Sequence, residues 1–134
     1  MYLVDTNVLS ELMRARPDAL VAAWARDLTA MTISVITLEE IEYGLALRPS
    51  ARLERWWRSF SEGYCEILPI SPTIARRAAH LRATHRLRGR QRTQADMLIA
   101  ATAHEHQLTL ATRNQRDFTG CGIRCVNPFT VPAP

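Results

Sequence analysis

The sequence predicts an α/β fold: a three-layer-like sandwich with a central, mainly parallel sheet flanked by helices. Three observations carry this expectation. Short apolar runs alternate with stretches of helical periodicity, the pattern of parallel strands joined by crossover helices. The first run, Tyr2-Leu3-Val4, lacks polar alternation, as in a strand covered on both faces. It ends directly on Asp5, which puts a carboxylate at the carboxyl edge of the sheet, where such folds place their ligands.

The elements follow in order. Residues 2–5 form the first strand, and 6–14 a helix with Val8, Leu9 and Leu12 on its apolar side. Pro17 suits the first turn of a helix over 17–28, with Leu20, Val21 and Trp24 as apolar positions. Residues 31–36 form a strand, 38–47 a helix, and 50–62 a helix carrying Leu53, Trp56, Trp57 and Phe60 at helical spacing. A short strand over 65–70 meets Ser71-Pro72, an N-cap followed by proline at the first helical position, which opens a helix over 72–87. Gly89 breaks that helix. Residues 94–107 form the next one, and 108–112 and 123–126 the last two strands. The segment 128–134, between Pro128 and Pro134, is expected to be a loose tail.

A chain of 134 residues is expected to form one domain, 1–134, large enough to bury a core. Its 47% apolar content separates it from disordered sequences. No apolar run reaches the roughly 18 residues of a membrane span. Asp5 interrupts the N-terminal apolar stretch, so no signal-like segment is expected and the cytoplasm is the expected location. Cys65, Cys121 and Cys125 are odd in number and imply no disulfide framework.

The net charge is +4, and all seventeen basic residues are arginines. Seven of them fall between Arg76 and Arg92, and no acid interrupts the span from Glu66 to Asp96. Codon bias explains the absence of lysine, and a solvated helix face explains a run of charge. The clustering still favours a nucleic-acid backbone contact, because the guanidinium fork matches phosphate geometry. Arg86, Arg88, Arg90 and Arg92, with Arg113 further on, are the candidate contacts.

Four acids fall at strand ends or first helical turns: Asp5, Glu40, Asp96 and Asp117. Each has a purely structural explanation. Thr37…Glu40 and Thr93…Asp96 fit the capping box, Asp5 suits a helix cap, and Asp117 suits a turn. As a set they converge on one sheet edge, where carboxylates repel unless a cation joins them. Hard oxygen donors of this kind suit Mg²⁺ or Mn²⁺, which generate a nucleophilic hydroxide and clamp phosphoryl oxygens. Asn7 and Asn114 could orient water or substrate, and Thr6, Ser34 and Thr112 could donate hydrogen bonds.

The motifs Asp5-Thr6-Asn7-Val8-Leu9, Thr37-Leu38-Glu39-Glu40-Ile41-Glu42-Tyr43-Gly44, Ala95-Asp96-Met97-Leu98-Ile99-Ala100-Ala101-Thr102-Ala103 and Ala111-Thr112-Arg113-Asn114-Gln115-Arg116-Asp117-Phe118, closed by Asn127-Pro128-Phe129, resemble those of PIN-domain ribonucleases. The resemblance is strongest to the VapC-type toxins of type II toxin–antitoxin systems and their FitB-like relatives, and it spans nearly the whole chain. It implies a PIN-like fold and a Mg²⁺-dependent endoribonuclease acting on structured RNA, tRNA or rRNA. It selects Glu40, four residues before Gly44, over Glu39 and Glu42. It implies that Asp5 and Asp96 bind the metal most directly and that Glu40 and Asp117 complete the pocket. Either Glu40 or Asp96 is implied to deprotonate the attacking water. The family's fourth acid falls at the position of Asn114 or of Asp117; Asn114 is neutral here, so the charge is assigned to Asp117. The implied partners are an RNA substrate, a VapB-like antitoxin and a second copy of the chain, assembling as a homodimer and, with antitoxin, as a heterotetramer or octamer.

Other chemistries fit less well. A haloacid-dehalogenase-like phosphatase needs a second aspartate two residues after the first, where this chain has Asn7, and a phospho-acceptor receiver domain needs a lysine. The alternative that remains is a catalytically weak, FitB-like nucleic-acid-binding or regulatory subunit acting with a DNA-binding antitoxin. His104-Glu105-His106 has the wrong helical spacing for zinc, and Cys121 and Cys125 lack a second pair. Trp56 and Trp57 lie about 100° apart on a helix and are not expected to share one buried surface. Trp24, Leu45 or Trp57 is expected to wall an antitoxin groove between the second and third helices, with Trp57→Ala weakening the complex more than the fold.

Overall fold

The computed structural model describes residues 1–130. The chain runs β1 (Tyr2–Val4), α1 (Thr6–Met13), α2 (Ala19–Arg26), β2 (Met31–Ser34), α3 (Val35–Leu47), α4 (Ala51–Gly63), β3 (Cys65–Leu68), α5 (Pro72–Leu87), α6 (Gln94–Glu105), β4 (Thr109–Ala111), a 3₁₀ turn (Gln115–Phe118) and β5 (Cys125–Val126). The five strands lie in the order β3-β2-β1-β4-β5 and every pairing is parallel, with Leu3 opposite Thr32 on one side and Leu110 on the other. The expected central parallel sheet between helices is what forms.

Two clusters of buried side chains make the outer layers. Leu3 faces α5 and α6 with Ile74, Ala78, Met97 and Ile99, whereas Val4 faces α1–α4 with Leu9, Ile41, Trp57 and Phe60. The alternation of adjacent strand residues between faces turns an unbroken apolar run into two cores.

The sheet order reverses between β1 and β4, since the chain moves outward from β1 to β2 and β3, then returns to the other side. Ligands of open α/β sheets bind at this switch point, beyond the carboxyl ends of the strands.

Helix starts are set by side-chain caps. Asp18 Oδ1 accepts from the Leu20 and Val21 amides (2.9 and 3.2 Å), so α2 begins at Ala19 and Pro17 stays outside it. Ser34 Oγ accepts from the Ile36 amide at 3.0 Å. The strand expected over 31–36 therefore stops at Ser34, and α3 begins three residues earlier than expected. Helix α5 occupies the expected 72–87, with Ser71 Oγ accepting from the Ile74 amide at 3.2 Å and Pro72 in the first turn.

Trp56 and Trp57 correct the sequence reading. Both stack on Phe60, at 5.1 and 6.1 Å between ring centroids, and Trp57 is buried. They pack into one cluster because Phe60 lies three and four residues beyond them, close to both faces. Trp24 packs edge-on against Tyr2 at 5.3 Å. The segment expected to be loose from Pro128 begins in a turn: the Phe129 amide donates to Asn127 Oδ1 at 2.9 Å and the Thr130 amide to the Asn127 carbonyl at 3.2 Å. Residues 131–134 of that segment lie outside the described residues.

Candidate active site

The four predicted acids come from four different places in the chain. Asp5 follows β1 and caps α1, Glu40 lies on α3, Asp96 sits in the first turn of α6, and Asp117 lies in the 3₁₀ turn after β4. All four belong to the end of the sheet where the switch point lies. Thr6 bonds both Asp5 and Glu40, and the charges of Asp5, Asp117 and Glu40 all bear on Asp96.

Asp5 is the most constrained. Its backbone amide extends the ladder to the Ala111 carbonyl at 2.9 Å, which fixes the carboxyl group at the junction of β1 and β4. Oδ1 accepts from the Thr6 amide at 2.8 Å; Oδ2 accepts from Thr112 Oγ1 at 2.7 Å and from Asn7 Nδ2 at 3.3 Å. Asn7 Oδ1 accepts in turn from the Arg113 amide at 3.1 Å, and Thr112 Oγ1 from the Asn114 amide at 3.1 Å. Asn7 and Thr112 thus tie the loop after β4 to the loop after β1. Asn114 contributes its backbone to this network.

Glu40 is held from α1: Thr6 Oγ1 donates to Glu40 Oε1 at 2.8 Å and lies 3.1 Å from Thr37 Oγ1. The expected capping box at Thr37 and Glu40 does not form, because Ser34 takes the cap and Thr37 falls inside the helix, fully buried. For the same reason Ser34 serves the α3 terminus and not a carboxylate. The cap half of the other expected box is present, with Thr93 Oγ1 accepting from the Asp96 amide at 3.0 Å.

Burial is the main force on Asp5, 5% exposed, and it raises the carboxyl pKa. The hydrogen bonds from Thr112, Thr6 and Asn7 oppose that rise, and the charge of Asp117 adds to it. Asp96 is pushed up to about 6, first by burial and next by Asp5, with Asp117 and Glu40 adding and Thr93 opposing. Among the described residues the one ion pair is Arg14 with Glu11 at 3.3 Å, so none of the four acids has a cationic partner. Nor do any three carboxylates, imidazoles or thiols among those residues form a ready cage for an ion. An ion that keeps most of its water and takes one or two carboxylates directly needs no such cage.

The candidate arginines diverge. Arg92 Nη1 and Nη2 donate to the Arg116 and Thr119 carbonyls at 3.1 and 3.3 Å, clamping the turn that carries Asp117. The Arg113 guanidinium lies 4.6 Å from the Phe129 ring centroid, while its backbone amide donates to Asn7 Oδ1. Arg86, Arg88 and Arg90 are exposed around the end of α5. There Gly89, at φ 76°, permits the turn in which the Arg90 amide donates to the His85 carbonyl at 2.9 Å.

Sequence reasoning passed over Thr37 and the Arg92 clamp. Thr37 stands three residues before Glu40, one helical turn away, a signal legible once α3 is known to begin at Val35. It also passed over His85, which is 2% exposed with Nε2 at 3.8 Å from Cys121 Sγ. Burial is the main cause lowering the His85 pKa, with Arg92, Arg90 and Arg88 adding to it.

Known proteins resemble the chain over nearly all of its length. The PIN domain family matches residues 2–119. The VapC ribonuclease Y4jK of Sinorhizobium fredii is 34% identical, over 96% of this chain and 98% of its own length. Toxin FitB of Neisseria gonorrhoeae is also 34% identical, over 96% and 99%. A solved toxin–antitoxin complex from Klebsiella pneumoniae contains a chain 31% identical with a TM-score of 0.75, covering 98% of this chain and 100% of that one. A gathered set of acids at the switch point, a matching family over most of the chain and full-length relatives converge on one assignment: the chain belongs to the PIN-domain family, in the group of the VapC and FitB toxins.

Proposed function

We propose that the chain is a metal-dependent endoribonuclease and the toxin of a VapBC-type pair, hydrolysing phosphodiester bonds of structured RNA, tRNA or rRNA. The observation that carries the reading is the gathering of carboxylates from four parts of the chain: Thr6 bonds both Asp5 and Glu40, the charges of Asp5, Asp117 and Glu40 bear on Asp96, and none of the four is ion-paired among the described residues. Such a donor set fits Mg²⁺, with Mn²⁺ as a substitute. Asp5 and Asp96 would hold the ion most directly, and Glu40 and Asp117 would complete its surroundings. When bound, it polarises the phosphoryl group and makes water acidic enough to attack at neutral pH.

The chain's own residues do the rest. Thr6, Asn7 and Thr112 fix the Asp5 carboxylate in one orientation, so it does not reorganise when substrate binds. Thr6 holds one oxygen of Glu40. Glu40 or Asp96 accepts the proton of the attacking water. Arg113 meets a phosphate of the RNA.

A partner site is supported by a groove of about 300 Å³ between α1, α3 and α4, floored by Met13, Ile41, Leu45 and Leu53 and ending at Glu40. It suits an apolar segment of a VapB-like antitoxin that reaches Glu40; dimeric toxin, a heterotetramer or octamer with antitoxin, and a cytoplasmic location belong to the same reading. Leu45 lines this groove and Trp24 does not, while Trp57 is buried and borders, with Leu45, a separate recess between α3 and α4. Among the described residues no helix is long and apolar enough to cross a membrane.

Sequencing RNA 5′ ends after induced expression tests the reading. Discrete new ends are expected in one structured RNA, and these disappear with Asp5→Ala. Identical end profiles for both proteins leave the regulatory subunit as the better account.

A further inference from the structure

A second recess, of about 470 Å³, opens where α5 meets the start of α6, lined by Arg82, Arg86, Gln91, Arg92 and Thr93. We propose that this recess is a phosphodiester subsite that grips the RNA strand beside the bond presented to the acids, an inference that rests on the ribonuclease reading above. Every lining side chain carries N–H or O–H donors and none is acidic. Arg82 and Arg86 are exposed and one helical turn apart, so their forks reach the same space.

Arg92 gives the recess a fixed wall. Its Nη atoms are tied to the Arg116 and Thr119 carbonyls, while its buried Nε has no partner among the described residues. Thr93 forms another wall and also caps α6 at the Asp96 amide, so the recess borders the first turn of the helix that carries Asp96. An anion there lies near the positive end of a twelve-residue helix. No aromatic ring lines the recess, so it reads a phosphate and not a base, and positions the strand independently of sequence. Arg88 and Arg90, beyond the end of α5, do not line it.

The test compares two double variants that remove equal charge from the same helix: Arg82→Ala with Arg86→Ala, and Arg76→Ala with Arg77→Ala. All four positions are exposed. Binding of a short hairpin RNA, and of tRNA, is followed by fluorescence anisotropy in EDTA, where no cleavage intervenes, over a range of salt. The first pair is expected to lose about ten-fold in affinity and to flatten the salt slope by about 1, with the second pair within about two-fold of wild type. Equal losses in both pairs mean a diffuse field and overturn the subsite. So does an unchanged RNA affinity in the first pair with loss of binding to a polyglutamate peptide, which assigns the recess to an acidic protein segment. If wild type cleaves RNA with Mg²⁺ and the first pair binds RNA as wild type does, the subsite alone fails. If wild type neither binds nor cleaves, the ribonuclease reading fails with it.

Discussion

Asp96 shows at the scale of one side chain what the pocket does to its members. Its pKa, about 6 against an ordinary 3.8, means that the folded chain holds the proton more tightly than the unfolded one. Stability is then fully present below the ordinary value and is lost as pH rises from about 4 to about 6. Melting curves of the metal-free protein should show the melting temperature falling across that window, and flattening above it. The buried Asp5 adds in the same direction. Asp96→Asn removes the repulsion while keeping the shape, and should stabilise the metal-free protein by on the order of 1 kcal/mol, or roughly 3 °C. A marked drop in melting temperature would mean that the carboxylate serves mainly as a helix cap. At this scale much of the site was legible: Asp5, Glu40, Asp96 and Asp117 each stand in a recognisable motif, and Thr6, Asn7 and Thr112 do bond within the site. The role of Thr37 was not legible, because it depends on Ser34 winning the competition to cap α3.

Elements are decided by their ends. Helix α6 ends with Gln107 in the left-handed region at φ 55°, where the Leu108 amide donates to the Ala103 carbonyl at 2.9 Å and the Gln107 amide to His104 at 3.2 Å. This geometry prefers glycine. Gln107→Gly should raise stability by about 0.5–1 kcal/mol in thermal or urea unfolding, with cleavage unchanged. Gly120 is the converse. It sits at φ 81°, and a Cβ there would lie 3.1 Å from His85 Cε1. Gly120→Ala should destabilise by roughly 1–2 kcal/mol, and it should also lower cleavage because the strain falls beside the turn carrying Asp117. Trp57→Ala belongs here too. The residue is 5% exposed in the core, so the loss should appear as about 3–5 kcal/mol of folding stability before any effect on a partner. Element type was legible from apolar periodicity and from Ser71-Pro72. Several boundaries were not, because Asp18 and Ser34 outcompete the neighbouring residues that seemed to mark them.

At the scale of the whole molecule, strand order creates the site. Parallel pairing followed from the alternation of strands and helices, but the order β3-β2-β1-β4-β5 is set by which faces pack together, and periodicity does not encode it. That order places β1 beside β4 and so joins Asp5 to Thr112 across 107 residues of chain. The basic recess lies at the start of α6, where Thr93 stands one helical turn before Asp96. On the proposed reading, one molecule carries acids that take a cation and a basic wall that takes phosphates. The most direct measurement is cleavage of a structured RNA by the purified, antitoxin-free chain, with Mg²⁺ or with EDTA, beside Asp96→Asn. The account predicts cleavage by wild type with Mg²⁺ alone, and none by a variant that melts at or above the wild-type temperature. Equal cleavage in EDTA, or by Asp96→Asn, would contradict it.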